Sequence, residues 1–173
     1  METKKEIKYP YLPAGVNILY VPESNIFMSQ AKDEAKKSND QSMPNGSVIV
    51  SDGVVVGRAS NKPALSNQKL LKLHKKYCIR RMLNIPSGQK YWLCPGCASH
   101  ANHGEYRAVL DVQKKNINNL KNPELYLWGH WWCCEPCWNK MLEIGIKKVF
   151  LLEGSEILFN INNPNNIIGK QLK

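Results

Sequence analysis

The sequence predicts an α/β fold, a sheet whose faces are covered by helices. Two observations predict it. Val, Ile and Ser runs at 47–50 and 54–57 flank Ser51-Asp52-Gly53, which reads as a tight hairpin. From residue 103 to residue 152, helical and strand patterns then alternate, and alternation of that kind builds a sheet with helices on it.

Residues 1–20 hold Tyr9-Pro10-Tyr11-Leu12-Pro13 and Gly15, and read as an extended or partly ordered arm. Residues 25–37 read as a helix with Ile26, Phe27, Ala31 and Ala35 on one face. Residues 38–46, rich in Ser, Asn, Asp, Pro and Gly, read as a loop. After the hairpin comes an insertion at about 64–102. Its part from 68 to 82 is helix-like and basic, with Lys69, Lys72, Lys75, Lys76, Arg80 and Arg81, either a solvated face or a phosphate or polynucleotide contact. A helix is expected to start near His103, with Glu105 in its first turn and Ala108, Val109, Val112 and Ile117 forming its apolar face. Asn122-Pro123 ends it. The apolar, aromatic run 125–133 has no helical period and reads as a buried strand. A helix from Cys134, with Pro136 tolerated in its first turn, stops at Gly145, and a strand follows at 147–152. A short strand at 157–161 precedes an irregular, Asn-rich tail. The expected organisation is an arm at 1–20, one domain at 21–160 with the insertion inside it, and a tail at 161–173.

Composition narrows the classes. The chain of 173 residues is long enough for one domain with one core. No apolar run is long enough to cross a bilayer, and the charged start Met1-Glu2-Thr3-Lys4-Lys5-Glu6 lacks a signal core, so a soluble, cytoplasmic protein is expected, with no membrane partner. In that setting six cysteines favour metal binding over disulfides. The formal charge of +10, from 24 Lys+Arg against 14 Asp+Glu, raises the odds of a phosphate-bearing ligand or a nucleic acid.

The chemistry concentrates in His103-Gly104-Glu105 and Cys134-Glu135-Pro136-Cys137. Histidine and cysteine suit tetrahedral Zn²⁺, and three protein ligands leave a fourth position open. Both groups fall at expected helix N-termini, where the dipole and free N–H groups stabilise thiolates. Cys134 and Cys137 are one helical turn apart, so both sulfurs can reach one metal. A structural zinc site has no need of Glu105, whereas a site activating water needs a proton carrier beside the metal. A second set, Cys78, Cys94, Cys97 and His100, is centred on a Cys94-Pro95-Gly96-Cys97 knuckle and would be a closed, structural zinc site. Cys133 is left over and reads as a packing residue.

On these residues the sequence resembles the cytidine and deoxycytidylate deaminase superfamily, over about residues 26–152. His103-Gly104-Glu105 stands where the family has His-Ala-Glu, and Gly145 follows the second metal cysteine at the family's spacing. The family's proline before the first metal cysteine is here Cys133. The resemblance implies a three-layer αβα sandwich around a mixed central sheet. It also implies hydrolytic deamination, with Glu105 moving protons between water, ring nitrogen and leaving amine. Asn61 would touch a substrate sugar, and His130, within the unusual run Trp128-Gly129-His130-Trp131-Trp132, would line the substrate site. A homo-oligomer is implied as well.

Three functions follow. The first is deamination of a free cytosine-type nucleotide, dCMP to dUMP being favoured by the insertion and the charge. The second is deamination of a base in RNA or DNA, with the basic insertion and tryptophans holding the strand. The third is a zinc-ribbon-like nucleic-acid-binding module in which Cys94, Cys97, Cys134 and Cys137 share one structural zinc.

Overall fold

A computed structural model describes residues 7–40, 42–86 and 88–172. Residues 1–6 of the expected arm and the last residue of the tail lie outside them. The elements are β1 (Asn17–Val21), α1 (Ile26–Ala35), β2 (Gly46–Ser51), β3 (Val54–Ser60), α2 (Gln68–Lys76), α3 (Ile79–Met82), α4 (Gly104–Lys114), β4 (Glu124–Trp128), α5 (Glu135–Leu142), β5 (Lys148–Leu152) and α6 (Ser155–Leu158). Five strands form one mixed sheet in the order β1-β5-β4-β2-β3. β1, β5 and β4 run parallel, and β2 is antiparallel to both its neighbours.

The strand period of two sorts the core into two layers. Ile49, Leu125, Leu127, Val149 and Leu151 face α4 and α5, and pack with Val109, Val112, Trp138 and Met141. Their neighbours Val48, Val50, Tyr126, Trp128 and Leu152 face α1 and α6, and pack with Met28, Ala31, Ala35 and Phe159. The architecture is therefore the expected three-layer αβα sandwich. Two glycines let the layers close: a Cβ on Gly46 would fall 2.2 Å from Ala31 O in α1, and one on Gly57 would fall 2.4 Å from Val112 Cγ2 in α4. The hairpin turns on Asp52 and Gly53, with φ of 51° and 76°, as a primed turn requires.

Several expectations are corrected. Residues 17–21 form a sheet strand, with Asn17 opposite Lys148 and Val21 opposite Leu152. This edge strand buries only part of its side chains, so its apolar pattern is weak. In α1 the buried side is Met28, Ala31, Glu34 and Ala35, and Ile26 is exposed. The basic helix is broken: α2 ends at Tyr77 (φ −125°, ψ 62°), and the chain turns before α3. β4 stops at Trp128 instead of running to 133, because Gly129 adopts φ 91° and turns the chain out of the sheet. The strand expected at 157–161 is absent; α6 starts after Gly154 at φ 75°, and it leads to Phe159, which packs edge-on against Trp128.

Candidate active site and metal centres

β3 and β4 end on the same side of the sheet as the N-termini of α4 and α5, and the site forms there. His103 is the N-cap of α4, in extended backbone at φ −69° and ψ 150°. Cys134 is the N-cap of α5, with Pro136 in the first turn. His103 Nδ1 lies 3.5 Å from Cys134 Sγ and 3.5 Å from Cys137 Sγ. Zn–S of about 2.3 Å and Zn–N of about 2.0–2.1 Å at tetrahedral angles would place N and S roughly 3.5 Å apart, so these donors fit one Zn²⁺. Glu105 is buried in the first turn of α4. Burial pushes its carboxyl above the usual range, against the pull of the neighbouring His103. A hydrogen bond from Cys137 holds the Cys134 thiol down to about 4. Cys133 is fully buried in the core; burial pushes its thiol well up, and Glu105 beside it adds to that.

The second set assembles with one change. His74, Cys78, Cys94 and Cys97 bring their ligand atoms within 4.8 Å of one another. Cys97 Sγ is 3.5 Å from Cys78 Sγ and 3.5 Å from His74 Nε2, and Cys78 Sγ is 4.0 Å from Cys94 Sγ. Gly96 admits the imidazole, since a Cβ there would fall 2.3 Å from His74 Cγ. His100 is elsewhere: its Nε2 meets Gly88 O at 2.9 Å, and its ring lies edge-on to Tyr91 and His103. No helix-face spacing announces His74, because α2 ends at Lys76 and Cys78 caps α3 beyond the turn. Cys94 and Cys97 thus fall in one group of candidate ligands and Cys134 and Cys137 in another, apart from the shared set that a ribbon-like module would need.

Both groups border one cavity of about 170 Å³. His103, Glu105 and Cys134 line one part of it and His74, Cys78 and Cys97 another. The loop that Gly129 turns outward delivers His130, Trp131 and Trp132 to the wall. Trp132 N–H donates to His130 Nδ1 at 3.4 Å, and burial pulls the His130 pKa down to about 4, so the ring is neutral near pH 7 and offers Nε2–H. Arg80 and Arg81 come from the insertion. Arg80 is buried, donates to Gln89 O and Pro86 O, and stacks 4.0 Å over Tyr91. Arg81 donates to Ser42 Oγ at 3.1 Å. Lys72, Lys75 and Lys76 are exposed. Asn61 lines the cavity, but its amide is bonded to Asp40, Met43, Asn45 and Ser38.

A helix-covered mixed sheet with a His-Cys-Cys set and a buried carboxylate at its edge defines an α/β protein with a candidate metal centre. Residues 22–153 match the family model described as the cytidine and deoxycytidylate deaminase zinc-binding region, and the chain belongs to that family. No curated protein matches the chain. Among solved structures, guanine deaminase from Bacillus subtilis is 18% identical over 74% of this chain, with a TM-score of 0.42. This chain spans 62% of its length. The dCMP deaminase of cyanophage S-TIM5 is 18% identical over 77% of this chain and 86% of its own, with a TM-score of 0.44. A structure from work on tRNA:A34 deaminases is 18% identical over 82% of this chain and 91% of its own, with a TM-score of 0.43. Among the described residues no helix is long and apolar enough to cross a membrane.

Proposed function

We propose that the protein is a zinc-dependent hydrolytic deaminase of a cytosine-type nucleotide, with dCMP to dUMP as the first candidate reaction. The observation that carries this is the buried Glu105 beside His103, Cys134 and Cys137, at the edge of a cavity.

His103, Cys134 and Cys137 hold the catalytic Zn²⁺, which when bound supplies the Lewis acid that makes water a nucleophile at neutral pH. Glu105 carries the protons. Its carboxylate takes one proton from the attacking water and gives it to the ring nitrogen, then takes the second from the hydroxyl added to the ring carbon and gives it to the amine, which leaves as ammonia as that carbon becomes a carbonyl. His130 donates through Nε2 to a ring or sugar acceptor, and Arg80 and Arg81 set a positive wall for a phosphate. Six free cysteines fit a reducing compartment such as the cytoplasm. Self-association enters the proposal from the resemblance.

His74, Cys78, Cys94 and Cys97 hold a second, structural zinc that pins the insertion against the cavity. Four ligands close the coordination sphere. His74→Ala is expected to remove about one equivalent of zinc and lower the melting temperature, whereas His100→Ala keeps the metal. Metal analysis of the two variants checks this, and a full zinc complement in His74→Ala contradicts it.

A second reading, a base extruded from a strand into the same cavity, is favoured by the exposed Lys72, Lys75 and Lys76. Ammonia release from cytosine, cytidine, deoxycytidine, CMP, dCMP, adenosine, guanine and a single-stranded oligonucleotide tests both. Fastest turnover of dCMP supports the first. Turnover of the oligonucleotide alone, with binding that weakens steeply in salt, moves the substrate to a strand.

A further inference from the structure

The His103 imidazole is enclosed by one short stretch of the insertion, residues 91–100. Its Nδ1 faces the sulfurs of Cys134 and Cys137, each at 3.5 Å. With Nδ1 turned that way, Nε2–H donates to the backbone carbonyl of Ala98. Tyr91 stands nearly at right angles to the ring, with centroids 5.3 Å apart and planes at 85°. His100 does the same at 5.7 Å and 83°. Tyr91 and His100 meet each other at 4.9 Å and 85°, so the three rings are close to mutually perpendicular.

Tyr91 is itself held. The Arg80 guanidinium lies 4.0 Å over its ring, and Arg80 is 8% exposed. Bonds to Gln89 O at 2.8 Å and Pro86 O at 2.9 Å fix that guanidinium in place. The Tyr91 hydroxyl accepts from Gly88 N at 3.2 Å, and Cys94 N donates to Tyr91 O at 3.1 Å. The ring and the Cys94–Cys97 knuckle are thus one braced piece. No proton step of the site uses Tyr91, yet its ring packs on a metal ligand. A histidine ligand needs outer contacts that set its tautomer and its orientation. The Ala98 carbonyl sets the tautomer, because it claims the hydrogen on Nε2. A ring packed across the imidazole bars it from swinging.

We propose that Tyr91 is a positioning residue for the catalytic metal: its ring, braced by Arg80, keeps the His103 imidazole turned with Nδ1 toward Cys134 and Cys137. The proposal deepens the deaminase assignment and rests on it for His103 as a zinc ligand. It also gives the insertion a task at the catalytic centre, which is to wall the one ligand that α4 supplies.

The test compares zinc-loaded wild type, Tyr91→Leu, Tyr91→Phe, His103→Ala and the double variant His103→Ala/Tyr91→Leu. Tyr91 is half-buried beside the cavity, so leucine is accommodated there. Chelator competition reads zinc affinity, Co²⁺ substitution gives an absorption spectrum of the metal, and kcat and KM are measured on dCMP. Tyr91→Leu is expected to weaken the zinc that depends on His103 by roughly ten- to a hundredfold, as loss of an outer contact to a histidine ligand does. Its Co²⁺ bands should shift, and kcat at saturating zinc should fall with little change in KM. Tyr91→Phe keeps the ring and should restore all three. The double variant should hold its remaining zinc as tightly as His103→Ala does, because the effect runs through His103.

Unchanged zinc affinity in Tyr91→Leu overturns the proposal. An equal weakening between His103→Ala and the double variant overturns it too, since Tyr91 is then a general support of the insertion. Failure of Tyr91→Phe to restore binding moves the effect to the hydroxyl and overturns it. A rise in KM with zinc binding kept makes Tyr91 a substrate contact instead. Wild type that releases no ammonia from dCMP or the rest of the substrate panel, while Tyr91→Leu weakens zinc as expected, defeats the deaminase assignment alone. A full zinc complement in His103→Ala overturns both.

Discussion

Glu105→Gln is expected to keep zinc, fold and substrate binding while losing nearly all turnover. The amide has the shape of the carboxylic acid but cannot accept and return a proton. General acid–base groups contribute about 10²–10⁴-fold, and Glu105 serves more than one transfer, so kcat should fall by at least that factor with little change in KM. Glu105 is buried in the first turn of α4, and glutamine matches it in size and shape. Steady-state kinetics beside metal analysis check this. Full activity in Glu105→Gln removes the proposed proton carrier, and loss of zinc makes Glu105 a ligand instead.

His103→Ala is expected to lose about one equivalent of zinc and reduce ammonia release to background. His103 Nδ1 stands 3.5 Å from both sulfurs, so its removal takes one donor from a three-donor set and leaves two thiols that bind zinc far more weakly. The zinc proposed for His74, Cys78, Cys94 and Cys97 should remain, because that group is separate. Metal content falling from two equivalents to one, with α-helical signal retained, is the expected pattern. Retained activity would place the chemistry elsewhere.

Much of this was legible in the sequence because it is local. His103, Glu105, Cys134 and Cys137 sit at helix N-termini whose starts are marked by spacing, apolar period and Pro136, and the sheet residues alternate by face. What was not legible depends on contacts between distant segments. β1 is an edge strand whose pairing with β5 supplies most of its order. The break at Tyr77 turns Cys78 toward Cys97 and makes His74 the fourth member of that group, where sequence proximity to the knuckle had pointed to His100. Gly129 within an aromatic run ends β4 early, and its positive φ shows only in three dimensions. The bonds that tie the Asn61 amide to Asp40, Met43, Asn45 and Ser38 depend on the fold of the loop before β2, and spacing carries no trace of them.

Zinc dependence of ammonia release tests the central claim most directly. The protein is stripped of metal by a chelator, assayed on dCMP, and titrated back with Zn²⁺. Ammonia release is expected to vanish on stripping and to return with the equivalent that fills His103, Cys134 and Cys137, a return that His103→Ala fails to show. Release that survives stripping, or that returns equally in His103→Ala, contradicts a zinc-dependent deaminase built on these three residues.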